Sequence, residues 1–253
     1  MSEQKIINTV GVEGALGVGK TTLIWKLFDP DAEKKDDFLP TGVGKDIALV
    51  GESRDLTRQI TPPRSIYPAF KNKQETLDWN KYFLDVEMLK KTIATDLAKS
   101  GLPVVFDRTI FSVVLIRRAL DLLNRSLFTE YDHVIKIYAD ALEKDEIILP
   151  PRMMILTAGI DTIMDRLSLR GTSTSIFKDH LFLTKLLEFY KNLAGVYTED
   201  DSVINLSTEE GIDTLPGLVD QAKAFLLKKS VSVSSNKQWF ELITQIELLT
   251  GEK

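Results

Sequence analysis

The chain has no cysteine and two histidines, His133 and His180. Disulfides and thiolate metal sites are excluded, and two histidines are a poor basis for a His-built metal centre. No apolar run approaches the ~18 residues of a membrane span. The opening MSEQKIINTVGVEG lacks the charged-then-apolar layout of a signal peptide. Positive charge is not in excess: the net charge of −5 argues against a broad basic surface for duplex DNA, though not against a local basic groove. These absences lead us to expect a soluble, cytoplasmic protein with no membrane partner. What is present suffices for one α/β domain. The 253 residues are 43% hydrophobic, and a chain of this length buries about 70–75% of the surface it exposes when unfolded.

Along the chain, apolar β-rich runs alternate with helical periodicity. Ile6–Val12, Asp46–Val50, Pro103–Asp107, Arg152–Thr157 and Ser202–Leu206 are the expected strands. Helices are expected over Lys20–Phe28, Gln74–Lys99, Ile110–Leu127, Tyr131–Ile147, Asp161–Arg170, Phe177–Ala194 and Asp213–Lys228. This order implies an α/β fold with a parallel sheet and helices on both faces. We assign residues 1–229 to one domain. The segment 230–253 is expected to be a linker and an amphipathic helix over Lys237–Thr250, packed on the domain or on a partner.

Between the first strand and helix stands Gly14-x4-Gly19-Lys20-Thr21, a full P-loop pattern in the strand–helix setting it requires. Its glycines let backbone N–H groups wrap a phosphate chain. Lys20 reaches the terminal phosphates, and the Thr21 hydroxyl binds Mg²⁺. Gly14, Gly17, Val18, Gly19, Lys20, Thr21 and Thr22 are thus the expected nucleotide contacts. The pattern is specific for nucleotide binding and silent on the reaction. A GTPase switch would add a DxxG turn and an NKxD motif. Neither occurs, and Asn72-Lys73-Gln74-Glu75 only comes near the second.

Three further constellations bear on the reaction. PVVFDRTIFS delivers Asp107 and Arg108 at a strand's carboxyl end, where open α/β sheets bind ligands. There a carboxylate can order Mg²⁺ or an acceptor hydroxyl, while the guanidinium holds phosphate. Taken alone, the pair would also serve as a strand-capping ion pair. Glu52, after the second strand, is a candidate base or metal-water partner. Arg166 and Arg170, four apart on one helix face, precede a Gly/Ser/Thr segment. A lid over about 166–177 would let both arginines close on the transferring phosphate and exclude water.

VEGALGVGKTTL, GES, FDRTIF and RLSLRGTSTS followed by LLEFYKNLA resemble, in order and spacing over residues 6–228, the thymidylate kinase and deoxynucleoside kinase branch of P-loop kinases. The resemblance implies a five-stranded parallel core, commonly a homodimer, and transfer of the ATP γ-phosphate to a nucleoside or its 5′-monophosphate. It makes Lys20, Glu52, Asp107, Arg108, Arg166 and Arg170 the catalytic candidates, with Mg²⁺ at Thr21 and Asp107. Departures are visible. The P-loop variables Ala15 to Val18 carry no charge, Ser53 follows Glu52 in place of a proline, and Asn80 only loosely replaces a helix glutamine. For the acceptor, Arg54, Phe70, Trp79 and Phe83 are the candidate contacts, beside Arg64 and Tyr67. The lid is closest to thymidylate kinases, so a deoxynucleoside monophosphate is the first expected acceptor and a deoxynucleoside the alternative. A nucleotide-binding regulatory protein without an acceptor pocket, or an enzyme acting on a nucleic acid, are further alternatives.

Overall fold

The computed structural model describes residues 8–31, 39–64, 72–126, 130–170, 175–196, 202–210 and 214–228. Six strands form one sheet: β1 (Thr9–Glu13), β2 (Gly42–Val43), β3 (Ala48–Val50), β4 (Val104–Asp107), β5 (Arg152–Thr157) and β6 (Val203–Ser207). Their spatial order is β2-β3-β4-β1-β5-β6. Five of them run parallel, as expected. The sixth is a correction: β2 pairs antiparallel with β3 at the edge, Gly42 opposite Leu49 and Val43 opposite Ala48. Two residues carry no alternation to detect, so the sequence pattern shows only a loop there.

Strands β1, β3, β4 and β5 are buried along their whole length, which is why they are apolar runs and not alternating ones. Helices α1 (Lys20–Phe28), α2 (Lys73–Leu97), α3 (Ile110–Leu122), α4 (Glu130–Glu143), α5 (Ile160–Leu169), α6 (His180–Val196) and α7 (Leu215–Leu227) cover the faces. The near-miss Asn72–Glu75 is a helix N-cap. Asn72 Oδ1 accepts from Glu75 N at 3.0 Å, and its amide donates to the Glu75 carboxylate at 3.3 Å, so the segment starts α2. Helix α6 begins three residues later than expected. The segment Ser175–Lys178 is a separate 3-10 turn, and Asp179 Oδ1 accepts from Phe182 N at 2.8 Å. Among the described residues no helix is long and apolar enough to cross a membrane. Phe70, Tyr67, lid residues 171–174 and the tail from 229 onward lie outside the described residues.

One buried ionic network joins α2, α3 and α4. Arg117 Nη1 lies 3.1 Å from Glu130 Oε2, and Nη2 donates to Asn80 Oδ1 at 3.0 Å. Thr76 Oγ1 donates to Glu130 at 3.3 Å, and none of the four side chains is exposed by more than 1%. Asn80 is therefore committed to packing of the helices. Such a pair stabilises mainly by not being broken. Arg117→Met should cost about 3–5 kcal/mol in urea unfolding, because Glu130 is left buried and charged. Adding Glu130→Leu should recover most of that loss.

Candidate active site

The carboxyl ends of β1, β3 and β4 converge on one crevice. Val12 is in register with Asp107 and Val50 with Phe106. Glu13 and Asp107, the last residues of adjacent strands, therefore come side by side, with Glu52 two residues beyond β3. This is where an open α/β sheet places its ligands.

The loop between β1 and α1 turns through Gly14, Gly17 and Gly19, with φ of 141°, 81° and 95°. A Cβ on Gly14 would stand 2.4 Å from the Leu156 carbonyl, so no other residue fits. Helix α1 has no side-chain cap, which leaves its first N–H groups unclaimed by a side chain. Lys20 is buried and folds back onto the loop, donating to Gly14 O at 2.5 Å and Ala15 O at 2.9 Å. Burial, reinforced by the nearby Arg108 charge, lowers its amine to about 7. A cavity of about 160 Å³ adjoins the loop and is lined by Gly17, Gly19, Thr22, Arg166, Arg170 and Thr208, among others.

Arg166 and Arg170 thus share one cavity, but they are held differently. Arg166 Nη2 donates to Thr208 O at 2.6 Å, and Nη1 to Thr208 Oγ1 at 3.2 Å and Gly17 O at 3.4 Å. Thr208 Oγ1 in turn donates to Val18 O at 2.7 Å. Arg166 therefore staples α5 to the phosphate loop, whereas Arg170 is exposed at the helix end.

Beside Arg108 and Glu52 lies a cavity of about 470 Å³. It brings together Glu52, Arg54, Trp79, Phe83 and Arg108 of the expected residues, and adds Leu16, Tyr82, Glu87, Lys90, Ser112 and Phe177. Arg64 is not among them and faces a separate groove with Glu75, Asp78 and Asp85. Trp79 packs against Phe83 and Tyr82, with ring centroids 5.4 and 5.3 Å apart. One wall is thus a cluster of mutually tilted aromatic rings.

The floor is charged, and its charges are paired. Arg108 Nε lies 2.8 Å from Glu52 Oε2, and Arg54 Nε pairs with Glu52 Oε1. Lys90 Nζ lies 2.9 Å from Glu87 Oε1 and donates to Arg108 O at 3.0 Å. Burial alone would raise Glu52, but Arg108, Arg54 and Lys20 pull it below the ordinary carboxylate value. Asp107 goes the other way. Burial and the Glu52 charge push it up to about 7, and its buried Oδ1 has no hydrogen-bond partner among the described residues. Burial likewise raises Glu87.

Sequence reasoning missed Glu13, a fully buried carboxylate at the end of β1. It accepts from Thr109 N (2.6 Å), Thr109 Oγ1 (2.7 Å), Ser112 Oγ (2.6 Å) and Tyr190 OH (3.1 Å). The available signal was a charged residue closing an otherwise uncharged strand, TVGVE. Glu87 and Lys90 were legible too, at four and seven residues beyond Phe83 on one helix face.

No protein-family model matches the chain, and no curated protein matches it in sequence. Solved structures do. Deoxyadenosine kinase from M. mycoides with bound dATP superposes with a TM-score of 0.52 at 15% identity, covering 85% of this chain and 98% of that one. The same enzyme with bound dCTP gives 0.48 at 16%, covering 85% and 97%. The chain has the P-loop kinase fold. If the loop after β1 receives a phosphate chain as its sequence pattern leads us to expect, a pH-dependence follows from Lys20. Its lowered value leaves it largely neutral above pH 7, and a bound phosphate chain would raise it again. Triphosphate binding at pH 8 should therefore take up protons, about one per chain at most from Lys20. Calorimetry in buffers of different ionisation enthalpy measures this, and Lys20→Met should reduce the uptake. Equal uptake by both proteins would contradict the assignment.

Proposed function

We propose that the protein is a phosphotransferase that moves the γ-phosphate of ATP to the 5′-hydroxyl of a deoxynucleoside. The observation that carries this reading is Glu52. It is a carboxylate kept ionised by Arg108 and Arg54 at the floor of an aromatic-walled cavity that opens beside the phosphate loop. An acceptor base lying against Trp79 and Phe83 would present its sugar hydroxyl to Glu52. Glu52 takes the hydroxyl proton, the acceptor oxygen forms a bond to the γ-phosphorus, and the bond to the β-phosphate oxygen breaks to release ADP. Arg108 neutralises charge on the oxygens in transit, and Lys20 follows the phosphates.

The paired floor favours an uncharged acceptor over the monophosphate that the lid resemblance suggested. Each cation there already faces a carboxylate: Arg108 and Arg54 share Glu52, and Lys90 has Glu87. A phosphate dianion would have to displace one of these pairs. That a deoxyadenosine kinase shares the fold supports the same choice.

The residues present suit Mg²⁺ bound with the nucleotide. Among the described residues no cluster of three His, Asp or Glu could hold a metal by itself. Thr21 and Asp107 would complete a nucleotide-borne coordination shell, and the unpartnered Asp107 Oδ1 is a ligand atom in waiting. Bound there, Mg²⁺ would neutralise the β- and γ-phosphate oxygens. If Glu52 is the base, Glu52→Gln should lower kcat for nucleoside-dependent ADP release about 10²–10⁴-fold, with the KM for ATP unchanged. Retention of full activity would remove Glu52 from the mechanism. If no nucleoside or nucleotide stimulated ADP release by the unmodified protein, the regulatory alternative would replace it.

A further inference from the structure

The buried set around Glu13 has no part in the reaction as written above, yet it touches the residue on which that reaction depends. Ser112, on the first turn of α3, has one hydroxyl proton and gives it to Glu13 Oε2 at 2.6 Å. Its oxygen is then oriented to accept from Arg108 Nη1 at 3.0 Å. Tyr190, on α6, gives its proton to the same carboxylate oxygen at 3.1 Å and stands 3.3 Å from Ser112 Oγ. Glu13 and Tyr190 are fully buried and Ser112 is 4% exposed. Arg108 itself sits at φ 64°, in the left-handed region that a bulky side chain avoids. Such a backbone persists only where its surroundings over-determine it. Here they do, because Lys90 holds its carbonyl, Glu52 its Nε and Ser112 its Nη1.

We infer that Ser112 and Tyr190 are positioning residues for phosphoryl transfer: with Glu13 they form a buried hydroxyl–carboxylate anchor that fixes Arg108, and through it Glu52, against the acceptor. The inference rests on the kinase reading above. The anchor spans the elements that have to act together. Glu13 closes the strand before the phosphate loop, Ser112 follows the Asp107–Arg108 pair, and Tyr190 belongs to the helix beyond the lid arginines. A carboxylate in this position is a costly way to fill space, since burial penalises it unless donors surround it. Its four donors meet that requirement, and one of them carries the link to Arg108.

The test measures ADP release with saturating ATP and varied nucleoside for Ser112→Ala, Ser112→Thr and Tyr190→Phe, each alone and in a Glu52→Gln background. Hydrogen bonds to charged groups set the scale, so Ser112→Ala should lower kcat about tenfold or more with the nucleoside KM within about twofold. Ser112→Thr, which keeps the hydroxyl, should restore part of the loss. Tyr190→Phe should cost less, because Ser112 remains. In the Glu52→Gln background the Ser112→Ala effect should shrink to about twofold or less, since the two act through one chain. A raised KM at unchanged kcat would make Ser112 a direct substrate contact and overturn the inference. So would an equal loss in both backgrounds, the mark of a packing defect, or no loss at all. An unmodified protein inactive on every nucleoside defeats the kinase reading and this inference with it. An active one indifferent to Ser112 defeats the inference alone.

Discussion

The site depends on the ion pair between Arg108 and Glu52. Arg108 emerges from β4 with a left-handed backbone, and Glu52 emerges from β3, its sheet neighbour. Neither side chain would hold its place alone. A charge taken out of water is tolerated only with an opposite charge and good hydrogen bonds beside it, and each supplies this to the other. The pair draws in Arg54 at its outer edge, Ser112 from α3 and, through the Arg108 carbonyl, Lys90 from α2. The aromatic wall of Trp79 and Phe83 rides on α2 and is thereby placed above the carboxylate. Removing the pair would leave Arg54, Glu87 and Lys90 as the charged groups of the cavity and take away the carboxylate proposed to accept the hydroxyl proton.

In the proposed transfer, the donor and acceptor sides use opposite electrostatic designs. On the donor side the positive elements await charge: a helix terminus without a side-chain cap, and Lys20 lowered to about 7 by burial. On the acceptor side the positive charges are already matched by carboxylates. A site built this way favours an anionic donor and a neutral acceptor. Asp107 stands between the two, raised to about 7 and with one oxygen unpartnered, where a divalent cation would restore its ionised form.

Much of this was legible in the sequence. The five parallel strands were apolar runs ending in polar residues, and the phosphate loop was a fixed pattern in its proper setting. Glu52, Asp107 and Arg108 were marked by standing at strand ends. What escaped had physical reasons. A two-residue edge strand has no period to detect. Glu13 is adjacent in sequence to the phosphate loop, but the groups that give it meaning come from Thr109, Ser112 and Tyr190, up to 177 residues away. Asn80 stood as a loose substitute for the helix glutamine that the resemblance implies, and Arg117 claims its oxygen. Arg166 looked free to meet a phosphate. Two of its three acceptors, the Gly17 and Thr208 carbonyls, are backbone groups that no side-chain pattern reveals, and the third is the Thr208 hydroxyl.

The central claim is that the charge-paired floor selects an uncharged hydroxyl acceptor. Measuring kcat/KM for a set of deoxynucleosides against their own 5′-monophosphates, under one set of ATP and Mg²⁺ concentrations, tests it most directly. The account predicts that the nucleosides are the better substrates. Faster turnover of the monophosphates would contradict it, and would mean that a phosphate displaces Glu52 from Arg108 on binding.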